Sequence, residues 1–245
     1  MAIETKDKKD EMLFVLEGAG VDFKAKAPSF FYELLRQTLT GWCFSPWFDY
    51  SSVEVTVTLE NNCFNITTQL ARTVPVRSDL IDALNEFFLC LAYLLTSKKN
   101  GAHLLHCAAF EESGVYSVVF GKKKAGKSSL VFQKAKDGAT ILADDVMIWL
   151  PKSAEVICIG LPLRLRRPVV GIPDNDGGRP QFFAGKQTAY AQKDVFRIAE
   201  AGKSFTPDRI YRLIDQKLVS VSLIRWPKVI AEHTISDQFT RLKHQ

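Results

Sequence analysis

Residues 118–130, VVFGKKKAGKSSL, restrict the fold more than any other part of this chain. Gly121, Gly126, Lys127 and Ser128 occupy every fixed position of the pattern G-x-x-x-x-G-K-[S/T]. A loop of that spacing wraps a phosphate with its backbone N–H groups, and the positive end of the following helix adds to the attraction. An apolar run precedes the loop and a helical pattern follows it, which favours a phosphate-binding loop over a basic surface turn.

The spacing of the loop residues predicts which side chains would contact a bound nucleotide. Lys127 would reach the β- and γ-phosphates, and the Ser128 hydroxyl would bind Mg²⁺. We interpret the lysine side chains at positions 122–124 as solvated charges at the loop tip that attract anions, with specific binding as the alternative. The predicted nucleotide-binding residues of the loop are Gly121, Lys124, Ala125, Gly126, Lys127, Ser128 and Ser129.

Two adjacent carboxylates, Asp144 and Asp145, follow the apolar run ILA about 16 residues beyond the loop. Consecutive strand residues face opposite sides, so the two carboxylates need different partners if both are buried. One of them could hold Mg²⁺, while the other accepts the proton of an attacking hydroxyl. A polar turn at the strand end is the alternative, and the residues alone leave open which aspartate has which role.

Four linked motifs within residues 101–160 resemble the core of the HPr kinase/phosphorylase family, a P-loop fold related to phosphoenolpyruvate carboxykinase. That family has a histidine-bearing strand, a G-x-S-G-x-G-K-S loop, a helix, and then a glycine followed by an apolar pair and ADD. The counterparts here are LLHCAAF with His106, GKKKAGKSS, Gly138 and ILADD. The resemblance implies ATP, Mg²⁺ and γ-phosphoryl transfer to a hydroxyl, first of all a serine of a peptide or protein.

The resemblance also implies a role for each matching residue. By position, Asp144 would be the general base, while Ser128 and Asp145 would bind Mg²⁺ and Lys127 would serve in catalysis. His106 would lie beside the transferred phosphoryl group. From the residues alone, a single histidine on an apolar strand is as readily a hydrogen-bonded core residue. The assignment could also shift to His103, three residues earlier in the same apolar stretch.

The chain departs from the family in two places. Lys123-Lys124 stand where the family loop has Ser-Gly, and the family's own segment after the aspartates is replaced by GLPLRLRRP and GIPDNDGGRPQ. The basic segment resembles that of shorter HPr-kinase-like proteins encoded beside peptide-modification and other biosynthetic genes. Arg164 and Arg166 share a strand face and would clamp a γ-phosphate or an acidic substrate; a solvated hairpin face is the alternative.

The expected fold class is α/β, α+β over the whole chain, with a P-loop core on a mixed sheet and a smaller N-terminal α+β region. We place the boundary so that residues 1–98 form that region and 99–245 form the catalytic domain. A helix from Asp79 to about Leu95 would be capped by Ser78. The other predicted elements are a strand at MLFVLE, a helix at APSFFYELLRQTL, a hairpin of SVEVTVTLE with CFNITTQL, a strand through ATILADDVMIWLP that turns at KSAE into VICIG, a helix at SFTPDRIYRLID and a strand at KLVSVSLIRW.

The hydrophobic pattern and the net charge limit the kinds of function that we expect for this chain. The longest apolar run, FFLCLAYLL, is shorter than the roughly 20 residues of a membrane span, and no secretory signal is recognisable, so we expect a cytoplasmic protein without a membrane partner. A net charge of +5 suits anionic ligands better than a nucleic-acid surface. A homo-oligomer is compatible with the sequence. The alternatives to a peptide or protein kinase are a kinase of a small-molecule alcohol and a nucleotide-dependent switch or binding module.

Overall fold

The computed structural model describes residues 11–49, 52–70, 74–166, 182–186 and 188–235. Within these ranges the chain is a mixed α/β protein with four α-helices and seventeen strands in four sheets. The helices are α1 (Ser29–Thr38), α2 (Leu80–Ser97), α3 (Lys127–Lys136) and α4 (Trp226–Glu232). The strands are β1 (Glu11–Gly18), β2 (Val21–Pro28), β3 (Cys43–Pro46), β4 (Val55–Glu60), β5 (Cys63–Thr68), β6 (His103–His106), β7 (Ala108–Glu112), β8 (Val115–Phe120), β9 (Thr140–Ala143), β10 (Val146–Leu150), β11 (Glu155–Ile157), β12 (Arg164–Arg166), β13 (Phe182–Ala184), β14 (Thr188–Ala191), β15 (Ser204–Phe205), β16 (Arg209–Ile214) and β17 (Lys217–Ser220).

The N-terminal sheet has the strand order β3-β1-β2-β4-β5, and α1 and α2 pack against it. The predicted strand at MLFVLE, the helix α1 and the hairpin of β4 with β5 are all confirmed. Val55 and Val57 are buried, as their alternation with polar residues predicts. Asn61 and Asn62 both have a positive φ, the conformation that a two-residue hairpin turn requires and that asparagine tolerates.

Helix α2 joins this sheet to the rest of the molecule. It begins one residue later than predicted, because the carboxylate of Asp79 rather than Ser78 caps it, accepting the backbone N–H groups of Ile81 and Asp82. The largest cluster of buried apolar side chains runs from the N-terminal sheet through α2 to β6, β10 and β11. Among the described residues, α2 is the one helix long and apolar enough to cross a membrane, and 67% of it is buried inside the protein, so this is weak evidence for a span.

A five-stranded sheet of order β17-β16-β8-β7-β9 carries the phosphate-loop motif. Strands β8 and β9 are both antiparallel to β7, which lies between them, while β16 is parallel to β8. The chain leaves β8, passes through the loop and α3, crosses over β7 and enters β9. The predicted order of strand, loop, helix and strand is therefore present.

The stretch ATILADDVMIWLP is not one strand, as predicted, but two. Strand β9 ends in the five-stranded sheet, and β10 belongs to a second, four-stranded sheet of order β15-β11-β10-β6. Asp144 and Asp145 lie at the bend between them. The predicted turn at KSAE is confirmed, because it joins β10 to its antiparallel neighbour β11.

The predicted helix at SFTPDRIYRLID is wrong, because this segment contains strands β15 and β16 instead. Ile210 and Leu213 are buried three residues apart, a spacing that also occurs on helices. The segment of β16 forms a strand because its backbone pairs with β8 on one side and with β17 on the other. The predicted closing strand at KLVSVSLIRW is confirmed only for β17, after which Leu223–Arg225 form a 3₁₀ turn. The predicted polar loop GIPDNDGGRPQ lies outside the described residues.

Candidate active site

Two glycines shape the loop between β8 and α3. Gly126 is the N-cap of α3 and has φ +101°, a conformation that strains any residue with a side chain. A Cβ atom at Gly121 would lie 3.2 Å from the backbone oxygen of Leu213 on β16. Lys124, where the family loop has glycine, also has a positive φ, of 69°. The loop therefore keeps a left-handed turn at this position without the residue that adopts it most easily.

The amine of Lys127 is folded back into its own loop. The residue is only 6% exposed, and its Nζ atom lies 2.8 Å from the Gly121 carbonyl oxygen and 3.4 Å from that of Lys122. A third acceptor, Nε2 of His106, lies 3.1 Å away. Burial lowers the pKa of Lys127, and the negative charge of Asp145 opposes this effect. All three N–H groups of the ammonium thus have acceptors within the protein.

His106, at the end of β6, links Lys127 to an aspartate. Its Nδ1 atom lies 3.2 Å from Oδ1 of Asp145, and its Nε2 atom faces the Lys127 amine. An ionised carboxylate can only accept and an ammonium can only donate, so this network places the proton on Nδ1 and leaves Nε2 as acceptor. His106 is therefore a member of the polar cluster, whereas His103 on the same strand is exposed.

The two aspartates have contrasting surroundings. Burial raises the pKa of Asp144 to about 6, although the backbone N–H of Arg164 donates to its Oδ2 at 2.8 Å and the nearby Ser128 hydroxyl also acts to lower it. Its Oδ1 atom is buried and has no hydrogen-bond partner among the described residues. Burial would raise the pKa of Asp145 too, but the hydrogen bond from His106 and the charge of Arg164 outweigh it and lower that pKa.

Arg164, on β12, reaches the same cluster with its side chain. Its Nη1 atom lies 3.4 Å from Oδ2 of Asp145 and 2.6 Å from Oδ1 of Asn85, which projects from α2. The hydroxyl of Tyr190 donates to the same Asn85 oxygen at 2.9 Å. Arg166 is exposed, and no hydrogen bond or ion pair joins it to this cluster within the described chain.

Asn85 and Tyr190 are absent from the site that the sequence predicts. For Asn85 the available signal is a polar amide, next to Glu86, in the mostly apolar stretch DALNEFFLCLAYLL. Tyr190 gave no such signal, because it lies in a short strand beyond a long polar segment. Both residues are recognisable as part of the site only from their contacts.

A cleft of about 770 Å³ opens beside the phosphate loop. The loop forms one wall, and the turn between β16 and β17 with the end of α4 forms the other. The His233 ring stacks on Phe120 at the edge of the cleft, with a centroid distance of 4.9 Å. The volume lies in the usual range for small-molecule and cofactor sites. The lining residues are Gly121, Lys122, Lys123, Lys124, Ala125, Arg212, Leu213, Ile214, Asp215, Gln216, Glu232 and His233.

A resident metal centre with several protein ligands is not found in the described parts of the chain, where no three His, Cys, Asp or Glu side chains gather as a metal site. A magnesium ion that arrives with nucleotide phosphates needs only one or two protein oxygens. Oδ1 of Asp144, which is buried and has no partner among the residues that the structure describes, is compatible with that smaller requirement, as is the nearby Ser128 hydroxyl.

No protein-family model matches the chain, and a search of the curated proteins finds no match either. The loop, the two aspartates and His106, with the contacts that join them, are therefore the features of this chain that indicate a function.

Proposed function

We propose that this chain is an ATP- and Mg²⁺-dependent kinase of the HPr-kinase-like type. It would transfer the γ-phosphoryl group to a hydroxyl, first of all a serine of a peptide or protein. One observation carries the proposal: the phosphate-loop lysine, a histidine and an aspartate form a continuous hydrogen-bonded chain, Lys127–His106–Asp145, at the mouth of the loop. The lysine that would bind phosphate and the histidine that would activate a hydroxyl are thus in direct contact.

Phosphate binding would change the partners of Lys127. Its amine now contacts two carbonyl oxygens of its own loop, at Gly121 and Lys122. The doubly charged end of a nucleotide is a stronger acceptor for an ammonium than a peptide carbonyl, so the amine would turn to the phosphates. The free N–H groups at the start of α3 would hold the same phosphates.

That exchange would also prepare a base. Once the Lys127 amine turns to phosphate, Nε2 of His106 loses its donor and becomes free to accept the proton of an attacking hydroxyl. Asp145, already at Nδ1, holds the ring in the required tautomer and stabilises the imidazolium that forms. The contact between Lys127 and His106 therefore keeps the base occupied until a nucleotide is present.

Ser128 and Asp144 are the residues that would hold Mg²⁺, since the buried Oδ1 of Asp144 has no hydrogen-bond partner in the described part of the chain and the Ser128 hydroxyl is nearby. Bound there, the ion would neutralise charge on the β- and γ-phosphates during transfer. In this assignment Asp144 would bind the metal, and His106, supported by Asp145, would accept the proton. It reverses the roles that the sequence resemblance implies for the two aspartates, because both oxygens of Asp145 already face His106 and Arg164.

The test is to incubate the purified protein with γ-labelled ATP, Mg²⁺ and a lysate of the cells that make it, and to identify labelled acceptors by mass spectrometry. We expect labelled peptide, protein or alcohol, or free phosphate if water is the acceptor, well above a Lys127→Ala control. Equal labelling and phosphate release in wild type and control would rule out the kinase.

A nucleotide-dependent switch is the second candidate, and the enclosed position of Lys127 favours it. Because the amine holds two loop carbonyls, phosphate binding would rearrange residues 121–122 at the edge of the cleft. His106→Asn separates the two functions. A kinase variant would still bind ATP but transfer little phosphate, whereas a switch would keep its nucleotide-dependent binding of partners unchanged.

A further inference from the structure

We propose that Asn85, on α2, is a positioning residue of this site. It fixes the guanidinium of Arg164 next to Asp145, so that a helix of the N-terminal region forms part of the catalytic centre. The kinetic consequence rests on the proposed kinase function. The contacts themselves belong to the free protein and can be tested without a nucleotide.

The surroundings of Asn85 define which of its atoms faces the site. Its neighbours on α2, Leu84 and Phe88, are buried apolar side chains, so the amide needs polar partners. Its Oδ1 atom has two, Nη1 of Arg164 at 2.6 Å and the hydroxyl of Tyr190 at 2.9 Å. Burial raises the pKa of Tyr190, which keeps its proton available for donation. Because both partners are donors, the oxygen of the amide must be the atom that faces them.

A single nitrogen atom of Arg164, Nη1, contacts two acceptors. Nη1 makes its short contact, 2.6 Å, with the neutral oxygen of Asn85, and its longer contact, 3.4 Å, with the carboxylate of Asp145. An unrestrained arginine prefers a close, bidentate pair with a carboxylate. Asn85 therefore prevents the guanidinium from pairing with both oxygens of Asp145. The Oδ1 atom of Asp145 stays available to His106.

Removal of the amide oxygen would release this arrangement. A small cavity of about 30 Å³ lies between α2 and the two aspartates, bordered by Asn85, Arg164 and Tyr190, and it leaves room for the guanidinium to shift. Arg164 would then close on Asp145 and draw it away from His106. His106 would lose the carboxylate that orients it, although phosphate binding by the loop would be unaffected.

The experiment compares three variants in steady-state transfer or phosphate release with Mg²⁺-ATP. Asn85→Leu keeps the branched shape of the side chain but removes the acceptor, and we expect kcat to fall about 10- to 100-fold with KM for ATP within about threefold of wild type. Asn85→Asp keeps an acceptor for both donors, so its kcat should stay within about fivefold of wild type. Glu86→Gln is the control on the same helix, because it weakens an ion pair with Arg77 at 2.6 Å and should lower stability without lowering kcat.

Two results would overturn the proposal: wild-type kcat in a folded Asn85→Leu protein, or a loss of kcat that Asn85→Asp does not restore. If the wild-type protein transfers no phosphate, the proposed function fails and the positioning is measured by NMR of isotope-labelled arginine. The Arg164 guanidinium should then show restricted rotation in wild type and in Asn85→Asp, and free rotation in Asn85→Leu. An unchanged Arg164 signal in Asn85→Leu would show that Asn85 does not hold it.

Discussion

The loop between β8 and α3 and the helix α2 both contribute polar groups to the same cluster, and they do so in opposite ways. The loop works through backbone geometry and closely spaced residues, so its contribution is local in sequence. Helix α2 is mostly apolar, is held by the hydrophobic core, and reaches the cluster through the single amide of Asn85. The groups that we propose to touch phosphate thus lie within a few residues of one another, whereas Asn85, which contacts Arg164, comes from a distant part of the chain.

Replacement of Lys127 should have the largest effect, because it removes the charge around which the loop is built. We expect Lys127→Ala to reduce phosphoryl transfer at least about 1,000-fold, since the variant loses the ammonium that contacts two carbonyl oxygens of the loop. Phosphate release from labelled ATP measures this. Lys123→Ala, an exposed residue of the same loop, is the matched control and should stay within about threefold of wild type. Equal losses in both variants would mean that the loop acts only through its overall charge.

His106→Asn tests the point at which the two regions meet. Asparagine is polar and of similar reach, but it cannot take up the proton of an attacking hydroxyl at neutral pH. We expect kcat to fall about 100-fold with ATP affinity nearly unchanged. Titration calorimetry with ATP and a transfer assay separate the two quantities. A loss of ATP affinity without loss of kcat would assign His106 to the loop rather than to the base.

Asp144→Asn should change stability in a pH-dependent way. The folded protein holds the pKa of Asp144 at about 6, above its value in the unfolded chain, so folding favours the protonated acid. Its contribution to stability is therefore full below about pH 4 and is lost as pH rises through about 6. At pH 8, with chelator present, we expect Asp144→Asn to have a free energy of unfolding higher by up to about 3 kcal/mol, and at pH 4 the difference should vanish.

Asp145→Asn is the control for that experiment, with the opposite sign. The pKa of Asp145 is lowered by its partners, so its ionised form stabilises the fold above its unfolded pKa, and this contribution is lost as pH falls through the folded value. The variant should be less stable than wild type at pH 8 and approach it in acid. Urea unfolding at both pH values measures the two variants. If both shift in the same direction at pH 8, the contrast between the aspartates is wrong.

The features that the sequence predicts correctly depend on neighbouring residues, and those it does not predict depend on contacts between distant segments. The loop and the hairpin of β4 with β5 depend on neighbouring residues, and both are where the sequence places them. The sequence of β16 indicates a helix instead, because its strand form depends on pairing with β8, about 90 residues earlier. The contact between Asn85 and Arg164 spans a similar distance, and no spacing rule on either segment indicates it.

The smallest expected effect concerns Lys124, which has φ 69° inside the loop. Glycine adopts that conformation without steric strain, so Lys124→Gly should raise the free energy of unfolding by about 0.5–1 kcal/mol, even after the entropy that glycine adds to the unfolded chain. Lys123 does not have a positive φ, and Lys123→Gly should lower stability by a similar amount. Urea unfolding of the two variants, which carry the same change in charge, isolates the backbone contribution. Equal destabilisation of both would show that the loop does not hold a left-handed turn at position 124 in solution.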